Sequence, residues 1–174
     1  LVPNKFPTLD GDHPRMVIPF RDSNGDIFAY QGRAFGNEKP KYITIILDDS
    51  VPKIFGLDRV DTTSDILVVE GPIDSLFIQN CIAVAQSDLR VPQYKDKAIL
   101  VPDNEPRNRE VIKQIEKAID ENYRVVVWPD YVRQKDINDM ILSGLDAVEI
   151  MDIISNNTFQ GLSAKVELQK WKRT

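Results

Sequence analysis

Three short apolar runs in this chain each end in acidic residues, and this repeated pattern limits the folds open to it. Ile66 to Val69 runs into Glu70 and then Gly71-Pro72. Ala98 to Val101 runs into Pro102-Asp103-Asn104-Glu105. Val125 to Trp128 runs into Pro129-Asp130, with Lys135-Asp136-Ile137-Asn138-Asp139 close behind. A continuous apolar run stopped by a turn reads as a strand buried on both faces, as in parallel sheets. In an open parallel sheet the ligand crevice lies beyond the carboxyl ends of the strands. The pattern therefore predicts three sets of acidic groups delivered to one rim.

The rest of the chain divides around this core. Before Asp65 it reads as hairpins. Arg15 to Phe20, Ile27 to Gly32 and Tyr42 to Leu47 are predicted strands, separated by turns at Asp22–Asp26 and near Gly36–Pro40. Leu1 to Pro14 reads as irregular, and Lys53 to Val60 as a short helix or turn. After Asp65 strands and helices alternate. Helices are predicted over Ile73–Gln79, Glu105–Asn122 and Asp136–Leu142, with a helical turn at Val91–Tyr94. Val111, Ile112, Ile115, Ala118 and Ile119 mark the apolar face of the longest. Further strands are predicted at Cys81–Ala85 and Arg124–Trp128. Val148 to Ile154 fits a helix or a short strand, and Phe159 to Trp171 a terminal helix. Such alternation implies a mostly parallel sheet with right-handed crossovers. The expected architecture is α/β: a small antiparallel β-rich part over 1–64, a parallel-sheet domain over 65–154 and a helical segment over 155–174.

Composition removes several kinds of chemistry. The chain has 174 residues, 42% hydrophobic and 28% charged, which suits a folded domain with a real core. No apolar run approaches the roughly twenty residues that cross a bilayer. No secretory signal pattern opens the sequence. The first residue is Leu, which fits a piece of something longer. Cys81 is the single cysteine and His13 the single histidine, so cysteine-based zinc sites, intramolecular disulfides and histidine clusters are excluded. The net charge of -5 argues against a basic coat for duplex DNA but leaves room for a local basic track. No GxxxxGK[ST] loop, dinucleotide glycine fingerprint or GxSxG elbow occurs.

What remains is the acidic set. Asp103 and Glu105 share a side if the chain stays extended past its strand. Asp136 and Asp139 share a face at a helix start. Asp74 lies about one turn beyond Glu70. Magnesium and manganese prefer such hard oxygen ligands. The alternative is that these acids are helix caps and turn residues, a role that suits Asp136, Asn138 and Asp139. Arg15, Arg33 and Lys41 flank predicted strands, and Lys53 and Arg59 follow. On spacing alone they read as charges that solvate the edges of a small sheet. Contacts to phosphates are the other reading.

V-V-E-G-P-I-D-S from Val68, D-N-E from Asp103 and K-D-I-N-D from Lys135 resemble the successive motifs of a Toprim domain. R-M-V-I-P-F-R-D-S-N-G-D-I-F-A-Y-Q-G-R-A-F from Arg15, P-K-Y-I-T from Pro40 and K-I-F-G-L from Lys53 resemble the small domain that precedes Toprim in bacterial-type primases. D-N-E-P-R-N with W-P-D at Trp128 looks closest to primases of large tailed phages. The resemblance covers about residues 15 to 145.

It implies a Toprim-type fold and primer synthesis from ribonucleoside triphosphates on single-stranded DNA with Mg2+ or Mn2+. It implies catalytic roles for Glu70, Asp103 and Glu105, with Asp136 and Asp139 joining them at the metal. It implies template or nucleotide contacts for Arg33 and Lys41, and more loosely for Arg15 and Lys53. A replicative helicase and a zinc-binding domain supplied elsewhere are the implied partners, in the host cytoplasm and with no membrane. One departure stands out: the second acid of the middle motif is usually an aspartate, and here it is Glu105. Two other functions share the residues. One is a Toprim nuclease, the other a noncatalytic nucleic-acid-binding or assembly module.

Overall fold

The computed structural model describes residues 14–37 and 39–173. His13 and nearly all of the expected irregular stretch at the start lie outside the described residues, as does Glu38 of the second turn.

The hairpin region forms β1 (Arg15–Arg21), β2 (Ile27–Ala34) and β3 (Tyr42–Ile46), an antiparallel sheet in that order. The first turn is held by the Asp22 carboxylate, which accepts the backbone N–H groups of Asn24 and Asp26, both at 2.9 Å. Gly25 supplies the positive φ of +89° that the turn needs. Ile18 and Phe20 of β1 face inward with Phe28 and Ala29 of β2 to make a small core.

The second sheet is built from β4 (Ile66–Val69), β5 (Cys81–Ala83), β6 (Ala98–Leu100), β7 (Arg124–Val126) and β8 (Thr158–Phe159), in the order β5-β4-β6-β7-β8. The first four are parallel. Central β4 is buried at every position, as its unbroken apolar run requires. Four helices accompany the sheet: α1 (Arg109–Asp120), α2 (Ile137–Leu142), α3 (Ala147–Asn156) and α4 (Gly161–Trp171). The expected apolar face of α1 is the buried one, and Asn108 caps its first turn. Residues Asp146 and Glu149 form a reciprocal capping box on α3.

Three expectations change. The helix foreseen over Ile73–Gln79 is a single 3-10 turn at Asp74–Leu76. Its apolar spacing is helical, but the chain must return to start β5 at Cys81. Asn80, at φ +44°, makes that reversal while its amide donates to the carbonyls of Asp61 and Asp65. The long helix begins at Arg109 rather than Glu105, because Asn108 takes the cap and the residues before it stay irregular. The terminal helix foreseen from Phe159 begins instead at Gly161, and Thr158 and Phe159 pair antiparallel with Val126 and Val125 and close the sheet as β8. Val148–Ile154, open between helix and strand, lies in α3.

Lys53 to Val60 is a run of turns that joins the two sheets. Phe55 exchanges both backbone hydrogen bonds with Ala83, at 2.8 and 3.0 Å. Its ring stacks edge-on against Phe20 with centroids 5.4 Å apart, and it packs on both cores. Truncation to Phe55→Ala should lower the unfolding free energy by about 3 kcal/mol, the usual range for a large aromatic. Urea denaturation would show this as an earlier midpoint with an unchanged slope; an unmoved midpoint would show that the ring carries no packing load.

Candidate active site

Parallel pairing of β4, β6 and β7 puts their carboxyl ends on one edge of the sheet, and a cleft of about 580 Å³ opens there. Glu70, Asp74, Asp103, Lys135 and Asp136 line one wall. Gln31, Lys41, Tyr42 and Thr44 of the small sheet line the other, with Lys53 from the joining segment.

Glu70 leaves β4 directly into the cleft. Gly71 follows, and a Cβ at that position would collide with the Asp74 carboxylate, which folds back over it. The glycine is thus required for close approach rather than for a positive φ. Asp74 Oδ1 accepts the backbone N–H of Asn138 at 2.9 Å. Asp136 caps α2 by accepting the Asp139 N–H at 2.8 Å. Two carboxylates from distant parts of the chain therefore hold the first turn of one short helix, where free N–H groups favour negative charge.

Asp103 and Glu105 do not continue an extended strand. The Glu105 N–H donates to the Asp103 carbonyl at 2.9 Å, and the chain bends between them. Asp103 faces the cleft, whereas Glu105 lines a neighbouring groove beside Trp128 and Trp171. Both still reach one cation: Lys135 Nζ lies 3.2 Å from Asp103 and 3.7 Å from Glu105.

Crowding shows in the proton affinities. The Glu70 carboxyl is pushed up to about 7, by burial first and then by the charges of Asp103, Glu105 and Asp74 against the pull of Lys135. Asp74 rises to about 6, again by burial first, with Asp136 and Asp103 adding to it and the Asn138 N–H opposing. Burial also raises Asp103, against the pull of Lys135. Burial would lower the Lys135 ammonium, but the charges of Asp103, Glu105 and Asp136 outweigh it and the net shift is upward.

The foreseen residues separate into groups. Glu70, Asp103, Asp136, Lys41 and Lys53 meet in the cleft. Glu105 reaches it only through Lys135. Asp139 is exposed on α2 and does not line the cleft. Arg15 donates to the carbonyls of Pro40 and Lys41 and ties down the start of β3 instead of lining the cleft. Arg33 lies over the ring of Tyr42, a lining residue, at 5.9 Å from its centroid, and does not itself line the cleft. Asp74 of the acidic set and Lys135 of the third motif also line it, and so does Gln31, which the sequence did not single out. Gln31 is 4% exposed and donates to Thr44 Oγ1, and its Oε1 has no hydrogen-bond partner among the described residues.

The donor set suits a hard divalent cation, since every acidic group offers carboxylate oxygen and no sulfur or imidazole is present. Among the described residues no three such groups are drawn close enough to grip one ion as they stand. The Lys135 ammonium sits between two of them, Asp103 and Glu105, as the positive charge of this wall.

The sign of the pH effect follows from the raised values. Glu70 and Asp74 contribute full stability below their ordinary values near 4, and lose it as pH rises through about 6 to 7. Glu70→Gln removes that loss. Without divalent cation the variant should exceed the wild type by about 1 kcal/mol near pH 8, after solvent screening, and by nothing near pH 4. Thermal unfolding across this range checks it; an equal gain at both ends would rule out the buried charge as the cause.

No family model matches the chain. Its sequence is 44% identical over 165 residues to a DNA primase of Enterobacteria phage T4, covering 92% of this chain and 48% of that protein. It is 28% identical over 143 residues to a DNA primase of Thermotoga maritima, covering 68% of this chain and 24% of that one. The chain thus spans about half or less of the curated relatives it matches. Its fold matches a DNA primase domain from Pseudomonas aeruginosa with a TM-score of 0.66 at 22% identity, covering 87% of this chain and 53% of that chain. It also matches the Aquifex aeolicus primase, solved as zinc-binding and RNA polymerase domains. There the TM-score is 0.64 at 21% identity, covering 90% of this chain and 44% of the other. The chain is thus similar in sequence to DNA primases, and its fold is that of the catalytic cores of bacterial primases, as the motifs implied.

Proposed function

We propose that this chain is the nucleotide-joining part of a DNA primase, making short RNA primers from ribonucleoside triphosphates on a single-stranded DNA template. The observation that carries this reading is the two-walled cleft. One wall concentrates carboxylates, and the facing wall and its rim offer Lys41 and Lys53. That is the charge distribution a nucleotide triphosphate needs, with cations and lysines for its phosphates and a polar sheet face for the rest.

Glu70 is proposed as the group that takes the proton from the attacking 3′-hydroxyl. Its place at the exit of β4, facing the cleft beside Asp103, supports that role. Asp103, Glu70 and Asp136 are proposed to hold Mg2+ or Mn2+, joined by Glu105 when its side chain turns inward. Asp139 is retained in the reading only as a more distant negative charge. When bound, the cation would neutralise the carboxylates and stabilise charge on the phosphate oxygens. Lys41 and Lys53 are proposed to neutralise phosphates of nucleotide or template, with Arg33 and Arg15 holding β3 and its Tyr42 in place. A zinc-binding module and a replicative helicase are proposed as partners, with the host cytoplasm as the setting. The first is supported by the Aquifex aeolicus structure, which contains a zinc-binding domain beside its RNA polymerase domain. No described helix is long and apolar enough to cross a membrane.

The test is primer synthesis on single-stranded DNA with ribonucleotides and magnesium, using the full protein and any zinc-binding partner it requires. Glu70→Gln should keep the fold and most DNA binding while nucleotidyl transfer drops about a hundredfold or more. Asp103→Asn should raise the magnesium requirement first. Lys41→Ala should weaken nucleotide or template binding and flatten its salt dependence. Cleavage of DNA in the absence of nucleotides would instead mark a nuclease, and wild-type primer yield from Glu70→Gln would remove that residue from the chemistry.

A further inference from the structure

The middle residue of the acidic motif makes more specific hydrogen bonds than either acid beside it. Asn104 uses its side-chain nitrogen to donate to the carbonyls of Val132 and Gln134, at 3.0 and 3.1 Å. Its Oδ1 accepts the indole N–H of Trp171 at 3.0 Å. Its backbone N–H donates to the carbonyl of Lys135 at 2.6 Å. The assignment of nitrogen and oxygen in the amide is unambiguous, because an indole can only donate and a carbonyl can only accept. No other side chain of similar size supplies two donors on one side and an acceptor on the other.

These bonds join three segments that are far apart in sequence. The acidic loop that follows β6 is one. The loop from Val132 to Lys135, before α2, is the second. The last turn of α4 is the third, and it is fixed a second time where the Arg173 N–H donates to the Pro106 carbonyl at 2.9 Å. Trp171 is buried, so its indole has little freedom. The acidic loop itself has no regular structure. Each residue of such a loop gives up about 1–2 kcal/mol of backbone freedom when it is ordered. Asn104 supplies bonds that offset this at the point between Asp103 and Glu105.

We propose that Asn104, held by Trp171, is a positioning residue that fixes Asp103, Glu105 and Lys135 relative to one another and so sets the affinity of the acidic wall for a divalent cation. The proposal rests on the reading of that wall as a cation site. It makes α4, which supplies none of the acids, part of the site's construction. Lys135 stays near both acids because the carbonyls of Gln134 and Lys135 are bonded to Asn104, not only because opposite charges attract.

The test uses the full chain and Mn2+ as the probe, followed by calorimetry and water proton relaxation. Trp171→Phe removes the indole donor and keeps most of the ring packing; Asn104→Ala removes the whole side-chain network. Both variants should bind Mn2+ about tenfold more weakly than the wild type, within the range seen when supports of metal ligands are removed. In primer synthesis the half-saturating Mg2+ concentration should rise by a similar factor, with turnover at saturating Mg2+ within about threefold of the wild type. Slowed exchange of the Trp171 indole hydrogen should be present in the wild type and lost in Asn104→Ala. Wild-type Mn2+ affinity in a folded Trp171→Phe overturns the proposal. So does a fall in turnover that excess Mg2+ does not restore, since that is what a merely structural role produces. Absence of Mn2+ binding to the wild type, or binding unchanged by Asp103→Asn, would instead overturn the cation site and the proposal with it.

Discussion

Like charges brought together in a partly buried place raise one another's proton affinity, and much of this fold is an answer to that constraint. Parallel pairing aims the ends of β4 and β6 at one rim, so the separation of Glu70 from Asp103 is set by strand spacing and not by choice of side chain. The surrounding structure compensates group by group. Asp74 is given a backbone N–H of α2, Asp103 is given Lys135, and Asp136 is turned onto its own helix. Glu70 is the acid left with the least direct help, and burial with its acidic neighbours pushes it up to about 7. Groups at functional sites are often those whose environment shifts them this way.

The sequence leaves open whether strand-end acids are ligands or caps, and the structure shows two of them as caps that also face the cleft. Asp136 is a cap and also lines the cleft, and Asp74 caps α2 from another segment while facing the same space. A cap held by backbone N–H groups keeps its second carboxylate oxygen available. Short α2 depends on both carboxylates, so the acidic wall and that helix form together.

Much of the architecture is legible in the residues because the signals are strong and local. β4 is unbroken apolar sequence between polar flanks, and α1 has five buried residues at helical spacing. Ile73, Phe77 and Ile78 keep helical spacing, yet the segment after Pro72 forms only a 3-10 turn, because its length is set by where β5 must begin. β8 could not be read, since two residues carry no period and their pairing with β7 is decided by the packing of α3 and α4 around them. In the site, Glu70 and Asp103 were visible as strand ends. Lys135 was read only as part of a motif and Gln31 not at all, because their places depend on how loops and sheets meet. Glu105 departs from the expected shared side for the same reason: the bend at Asp103 is a tertiary fact held by Asn104.

Phe55 has a bearing on how the cleft is entered. It belongs to the cores of both sheets and forms a β-bridge to the edge strand of the larger one. The two walls cannot swing apart without breaking that bridge and emptying an aromatic contact, and cores of this kind resist gradual deformation. The long, partly solvated side chains of Lys41, Lys53 and Lys135 line the cleft between these joined walls. Such stems reorient in picoseconds to nanoseconds, whereas hinged bodies take microseconds or longer. One residue thus ties the two walls together, while the charged side chains at the mouth keep their rotational freedom.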